Sequence, residues 1–340
     1  MEQQKILLIA PVFFNYYKDI LTELRALGYE ADYLCDTYSN SSLSKAAGRI
    51  SKKLIRGAME RTFRKKILPG LGKKQYHTVL VVAGMTFAFF PDMVKRMKET
   101  QTGARFVLYQ WDSRENLPYI EKIHPYFDRI FTFDPKDARE NPDCTLLPLF
   151  YNRRYEAVGK EKPAGTWKYD CTYVGTAHPR KYRQINEMAA ALRPCLPRQF
   201  IYHYMPSRLK YVYHKLTARE YRKARFQEFQ REKIPGEELA ELFGESRCIL
   251  DAPQDGQRGL TIRTLECLGA KRKLITTNPE VRNYDFFRET NIYVYDGEPD
   301  PDNVFFTGEY EELPPSVYRK YSLRSWIGFV LEEPKSGGKC

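Results

Sequence analysis

The sequence predicts an α/β protein built from two doubly wound, Rossmann-like domains. Three observations carry that prediction. Short apolar runs alternate with segments of helical periodicity, the pattern of parallel strands joined by crossover helices. The alternation breaks once, at the polar stretch "NRRYEAVGKEKPAGTWK", and then restarts. The chain has 340 residues, 42% of them hydrophobic and 14% aromatic, enough for two cores at about 150 residues per domain. The first domain is placed at 1–155 and the second at 165–330, with a linker near 152–168.

The elements follow in order. "KILLIAP" is a short apolar run closed by proline, a buried parallel strand. In "NYYKDILTELRALGY", Ile20, Leu21, Leu24 and Leu27 share one helical face, and Gly28 is the C-cap. "EADYLCD" and "HTVLVVAG" are strands, separated by a basic segment; "PDMVKRMKETQ" is a helix and "RFVLYQWDS" a strand. "LPYIEKIHPY" is read as a helix, "FDRIFTFD" and "CTLLPLF" as strands. After the break come strand "YDCTYVGT", helix "KYRQINEMAAALRP", strand "QFIYHY", a second basic segment and helix "GEELAELFGES". Strand "RCILDAP", a helix ending at Gly269, and strands "KLITT" and "NIYVYD" complete the second half. No short repeat appears, which excludes a solenoid.

Composition narrows the class. The net charge of +12 favours an anionic partner: nucleic acid, a phosphorylated substrate or an acidic membrane. The seven cysteines are scattered, odd in number and never in a CxxC pair. They argue against a disulfide framework or a zinc site and for a reducing, cytoplasmic setting. "MEQQKILLIAPVFFNYY" has an acid at Glu2, little basic character and no small-residue cleavage site, so it is not read as a leader. The longest uncharged apolar run covers 78–90, too short for the roughly 20 residues of a spanning helix.

In an open α/β sheet, ligands bind beyond the carboxyl ends of the strands, so the loops there should carry function. The loop after "RCILDAP" holds Gly256, Arg258, Gly259, Leu260 and Thr261 and enters a helix with Arg263 and Glu266. Glycines let the backbone approach a ligand, and a helix N-terminus offers unpaired N–H groups to phosphate. Arg258 or Arg263 can neutralise a diphosphate with forked hydrogen bonds, and Glu266 can accept from ribose hydroxyls. Read otherwise, this is a surface loop with an Arg263–Glu266 helix pair worth a few tenths of a kcal/mol. A second loop, "TYVGTAHPRKYRQI", repeats the pattern with Gly175, Thr176 and Arg180 or Lys181; His178 is read as an ordinary loop histidine.

These segments, in this order, resemble the GT-B glycosyltransferases with a group-1-type C-terminal domain. The texture is similar to the spore-maturation-like and capsule or lipopolysaccharide enzymes of bacteria. The resemblance rests on "YQWDS", "FDRIFTFDPKDAREN", "LLPLFYN", "DCTYVGTAHPRKYRQI" and, most strongly, 236–285. It implies two domains facing across a cleft, a nucleotide-sugar donor and a glycan or lipid-linked acceptor. It also implies no cofactor and no metal, with arginines and helix dipoles holding the diphosphate. The second glutamate of the family's paired-glutamate motif, which it places on the donor ribose, matches Glu266. The first would fall at Arg258, so the stereochemistry is open.

For inversion, a carboxylate must take the proton of the acceptor hydroxyl. Asp112, ending a central strand, is the first candidate and Asp19, in the first helix, the second. Asp112 can instead cap "SRENLPYI", and Asp19 can merely complement the helix dipole. "DPD" at 300–302 reads as a solvated turn rather than a metal-binding acid pair.

Two basic segments remain. Residues 45–74 hold eleven lysines and arginines against Glu60 alone, interleaved with Ile50, Leu54, Ile55, Met59, Phe63 and Ile67. That pattern suits a solvated basic helix packing its apolar stripe on the domain or, preferred here, an amphipathic helix on an anionic membrane. The protein is then expected to be cytoplasmic or peripheral on the inner face of the cell membrane. "SRLKYVYHKLTAREYRKARFQ" carries fewer apolar anchors and is read as a solvated basic helix. The rival reading is a basic, non-enzymatic nucleic-acid-binding protein using tyrosines as stacking platforms. No recognition motif for RNA or DNA supports it, so no nucleic-acid partner is expected.

Overall fold

The computed structural model describes residues 3–12, 15–37, 52–161, 166–253 and 257–332. The chain forms two compact units, Met1–Pro148 with Leu323–Cys340, and Leu149–Ser322.

The first unit is built on six parallel strands: β1 Lys5–Ala10, β2 Glu30–Cys35, β3 Thr78–Ala83, β4 Arg105–Gln110, β5 Arg129–Thr132 and β6 Cys144–Leu146. Their order is β2-β1-β3-β4-β5-β6, so the winding reverses between β1 and β3. Helix α1, Tyr16–Ala26, buries Ile20, Leu21 and Leu24. Gly28 ends it at φ 94°, with Tyr29 N–H bonded to the Leu24 carbonyl and Gly28 N–H to that of Arg25. This is the αL closure that glycine permits at least cost. The stretch 120–126 forms a 3-10 rather than an α-helix. Pro125 lacks the N–H an α-helix needs there, and the remaining amides close three-residue turns. The last described helix, Leu323–Leu331, belongs to this unit: Trp326 meets Tyr109 edge-on at 4.8 Å, and Arg105 donates to the Leu331 and Glu332 carbonyls.

The basic segment departs from expectation. Helix α2, Lys52–Thr62, runs through a π turn, Phe63–Ile67, into Leu68–Leu71. Ile55, Met59, Phe63 and Ile67 are buried in the core of the unit with Met93 and Phe89. Apolar residues four apart drift by about 40° per repeat on a straight α-helix. The wider π turn brings Ile67 back to the core face. Ile55, Met59 and Phe63 therefore stabilise the unit itself and are not anchors for a membrane. Leu54 alone of the named anchors is exposed, while Ile50 and residues 45–51 lie outside the described residues.

The second unit repeats the plan with β7 Tyr169–Thr176, β8 Gln199–Tyr204, β9 Phe229–Gln230, β10 Ser246–Asp251, β11 Lys273–Thr276 and β12 Ile292–Val294. The order β12-β11-β10-β7-β8-β9 is all parallel and reverses between β7 and β10. After α3, Pro91–Thr100, and α4, Pro135–Glu140, of the first unit, the helices here are α5 Arg153–Lys160, α6 Pro179–Leu192, α7 Arg208–Thr217, α8 Gly236–Gly244 and α9 Ile262–Ala270.

The stretch expected as a linker thus contains a packed helix. Asn152 caps α5 by accepting from Arg154 N–H at 3.2 Å, and α5 lies against α9. A Cβ on Gly159 would stand 2.3 Å from the Gly269 carbonyl oxygen, and one on Gly269 would stand 2.5 Å from the Tyr151 ring. Gly269 is therefore a packing residue inside α9. The helix runs one residue further, to Ala270, and is capped by Lys271 at φ 52°. Replacing Gly159 by alanine would normally stabilise a helix by about 1 kcal/mol. Here we expect the opposite sign, a loss of about 1–3 kcal/mol from overpacking, read as a lower Tm.

Candidate functional site

The reversal between β7 and β10 brings the two glycine-containing loops side by side, as the sequence pattern requires of a doubly wound sheet. β7 leads through Gly175, Thr176 and the exposed His178 into α6, with Pro179 in its first turn. A Cβ on Gly175 would stand 2.3 Å from the Tyr173 hydroxyl, so the glycine makes room for a buried ring. That hydroxyl is buried with no hydrogen-bond partner. β10 leads into α9, whose N-cap Thr261 accepts from Thr264 N–H.

Asp251, at the end of β10, ties the two helix starts together. Its buried carboxylate accepts from the Thr261 hydroxyl, and Lys181 Nζ stands 3.6 Å from its other oxygen. The loop between is held from β11: Asn278 donates its amide to the Arg258 and Gly259 carbonyls at 3.1 and 3.4 Å. Gly259 and Leu260 are buried, while the Arg258 and Arg180 side chains are exposed. Gly256 lies outside the described residues. Lys181 thus sits beside Asp251, and Arg180 and Arg258 are exposed cations of these loops.

Arg263 and Glu266 form a short, inward pair. Arg263 Nη1 donates to Glu266 Oε2 at 2.7 Å, with side-chain exposures of 17% and 2%. The same guanidinium donates to the Val174 carbonyl at 3.3 Å and lies 5.3 Å over the Phe243 ring. Burial pushes the Tyr155 phenol well above its ordinary pKa, and the neighbouring Glu266 carboxylate pushes it further. The carboxylate thus faces Arg263 and Tyr155. What the pair does is fix a guanidinium at the end of β7, a position a surface arginine would not hold.

The first unit has its own polar edge. Asp112, in the loop after β4, accepts from Met85 N–H at 2.8 Å, and a Cβ on Gly84 would stand 3.1 Å from the same oxygen. The amides of Asn116 and Leu117 bond the Ser113 carbonyl. Asp112 is thereby tied across to the β3 loop. Beside it, the buried Asp36 accepts from Thr86 Oγ1 at 2.9 Å. Asp19 lies in the first turn of α1, where its charge complements the helix dipole, next to Asn15 at φ 63°. In the exposed 300–302 turn, Asp300 accepts from Asp302 N–H at 3.1 Å. Among the described residues no group of three or more acids, histidines or cysteines is disposed to hold a metal, and no helix is long and apolar enough to cross a membrane.

Sequence reasoning missed Asp251, Asn278 and Tyr155. The first two had a signal: a charged residue ending an apolar strand, and an Asn-Pro step after the next one. Tyr155 had none, because it lay in the stretch read as a linker.

No family model and no curated protein matches the chain. Solved structures do. The apo lipopolysaccharide outer core galactosyltransferase WaaB superposes with a TM-score of 0.55 at 12% identity, covering 96% of this chain and 99% of its own. HepE of Anabaena, in complex with UDP and glucose, gives 0.56 at 11% identity, covering 97% and 99%. An alpha-glucosyltransferase in complex with UDP and a 13-mer DNA gives 0.55 at 12% identity, covering 96% and 94%. At such identity the likeness establishes the fold and nothing finer. That fold is GT-B, two Rossmann-like units each with a six-stranded parallel sheet, the fold of these glycosyltransferases.

Proposed function

We propose that the protein is a glycosyltransferase that takes a sugar from a nucleotide-diphosphate sugar bound at the β7/β10 edge of the second unit. One observation carries this reading: the starts of α6 and α9 meet at the strand-order reversal, clamped by Asp251, with Arg180, Arg258 and Arg263 around them. Two helix N-termini and three guanidiniums suit a diphosphate that must leave as an anion. Gly175, Thr176, Gly259, Leu260 and Thr261 are the proposed backbone lining of that site. The fold shared with UDP-bound glycosyltransferases supports the reading.

In the reaction proposed, the acceptor hydroxyl loses its proton to a carboxylate as its oxygen attacks the anomeric carbon. The bond from that carbon to the diphosphate oxygen breaks, and the nucleoside diphosphate departs without a metal. Asp112 is the proposed base, with Asp19 second. A glycan or lipid-linked acceptor in bacterial surface polysaccharide synthesis fits the basic first unit, on whose α2 segment Arg61, Arg64, Lys65 and Lys66 are exposed. The rival nucleic-acid reading leaves the clamped loops without a task.

The test is a panel of nucleoside diphosphates and their sugars in a thermal-shift assay, UDP first, with and without EDTA. A ligand at a hundred times its Kd should stabilise by about 2.7 kcal/mol, a rise in Tm of several degrees. If no nucleoside diphosphate shifts Tm while single-stranded nucleic acid does, the transferase reading is lost.

A further inference from the structure

Helix α7 carries an apolar stripe that the fold leaves in water. Leu209 is 83% exposed, Val212 50%, Tyr213 63% and Leu216 82%. Four of the nine exposed large hydrophobics among the described residues therefore lie on one ten-residue helix. Their spacing, i, i+3, i+4, i+7, puts all four on one face.

The helix cannot roll to hide them. On its other side Tyr211 is buried and donates to the Ala224 carbonyl at 2.9 Å, His214 stacks on Tyr221 at 5.3 Å, and Lys215 donates to the same Ala224 carbonyl at 2.8 Å. Ser207 caps the start by accepting from Lys210 N–H at 3.1 Å. At about 100° per residue, Arg208 and Lys210 fall on opposite flanks of the stripe. The following turns add exposed Arg219, Arg222, Lys223 and Arg225, with Glu220 the one acid from 207 to 225.

We propose that α7 is an interfacial helix that lies on an anionic lipid bilayer. The stripe would enter the headgroup–acyl boundary, with Tyr213 at headgroup depth and the flanking cations on lipid phosphates. Charge selects this occupant: a stripe rimmed on both sides by cations meets an anionic, planar surface on both rims at once. The contrast with α2 is instructive, since that helix is as basic but spends its apolar stripe on its own core. Bilayer binding needs neither nucleotide nor turnover, so it fails or succeeds independently of the transferase reading.

The test uses the full chain with vesicles of phosphatidylcholine alone or mixed with phosphatidylglycerol. Wild type should float with the mixed vesicles at low salt, less at high salt, and weakly with phosphatidylcholine. Leu209→Ser with Leu216→Ser should lower the partition coefficient about tenfold or more, with Tm and nucleotide response unchanged. Lys65→Glu with Lys66→Glu, on the other segment, should have the smaller effect. The proposal is overturned if wild type ignores anionic vesicles at low salt, or if the double serine variant binds as wild type does. It is equally overturned if light scattering shows a dimer lost in that variant without any lipid binding, which makes the stripe a self-association surface.

Discussion

Asp112→Asn is expected to lower turnover by about 10²–10⁴-fold while nucleotide affinity stays near wild type. The substitution isolates proton transfer. The Met85 amide that Asp112 accepts at 2.8 Å can be accepted equally by the asparagine carbonyl, so the tie between the β3 and β4 loops survives. The proposed donor groups lie in the second unit, and the fold there is untouched. What disappears is the capacity to take the acceptor proton. Single-turnover rates with a fixed donor, together with nucleotide titration, check this. An asparagine variant as fast as wild type would confine Asp112 to holding the loops together, and the base would be sought at Asp19.

The placement of that residue shows what the sequence could and could not convey. Strand periodicity and terminal Gly or Pro made β7, β10 and their loops legible, because a buried parallel strand has few other ways to look. The doubly wound order then had to bring the two loops together. Amphipathic helices were not legible in the same way. The stripe at Ile55, Met59, Phe63 and Ile67 and the stripe at Leu209, Val212, Tyr213 and Leu216 are both apolar faces on basic helices. The first is buried in a core and the second stands in water. Periodicity tells which residues share a face, not what covers it. The return of Leu323–Leu331 to the first unit was hidden for a related reason, since a linear division cannot express a chain that crosses back. The Arg263–Glu266 spacing was visible, but its burial was not. On an exposed helix the pair would be worth a few tenths of a kcal/mol; at 2% exposure of the glutamate it is a different object.

That difference sets the second expectation. Glu266→Ala leaves the Arg263 guanidinium over Phe243 and against the Val174 carbonyl, without the Glu266 carboxylate that balances its charge. Breaking one side of a buried pair costs about 3–5 kcal/mol, because the remaining charge is desolvated and uncompensated. For a unit of this size the fall in Tm should be about 6–20 °C. Glu266→Gln keeps the volume and an acceptor toward Arg263, so it should lose less stability. Arg263→Ala inverts the problem, burying a carboxylate beside the Tyr155 phenol, and should destabilise comparably. Removing both at once, with leucine at 263 and methionine at 266, restores an apolar contact to Phe243 and should recover most of the stability. It should not recover nucleotide binding if Arg263 faces the diphosphate. Thermal melts and nucleotide titrations on the four variants separate the two roles. Recovery of both stability and affinity in the double variant would make the pair structural and leave Arg180, Arg258 and the helix N-termini to hold the phosphate.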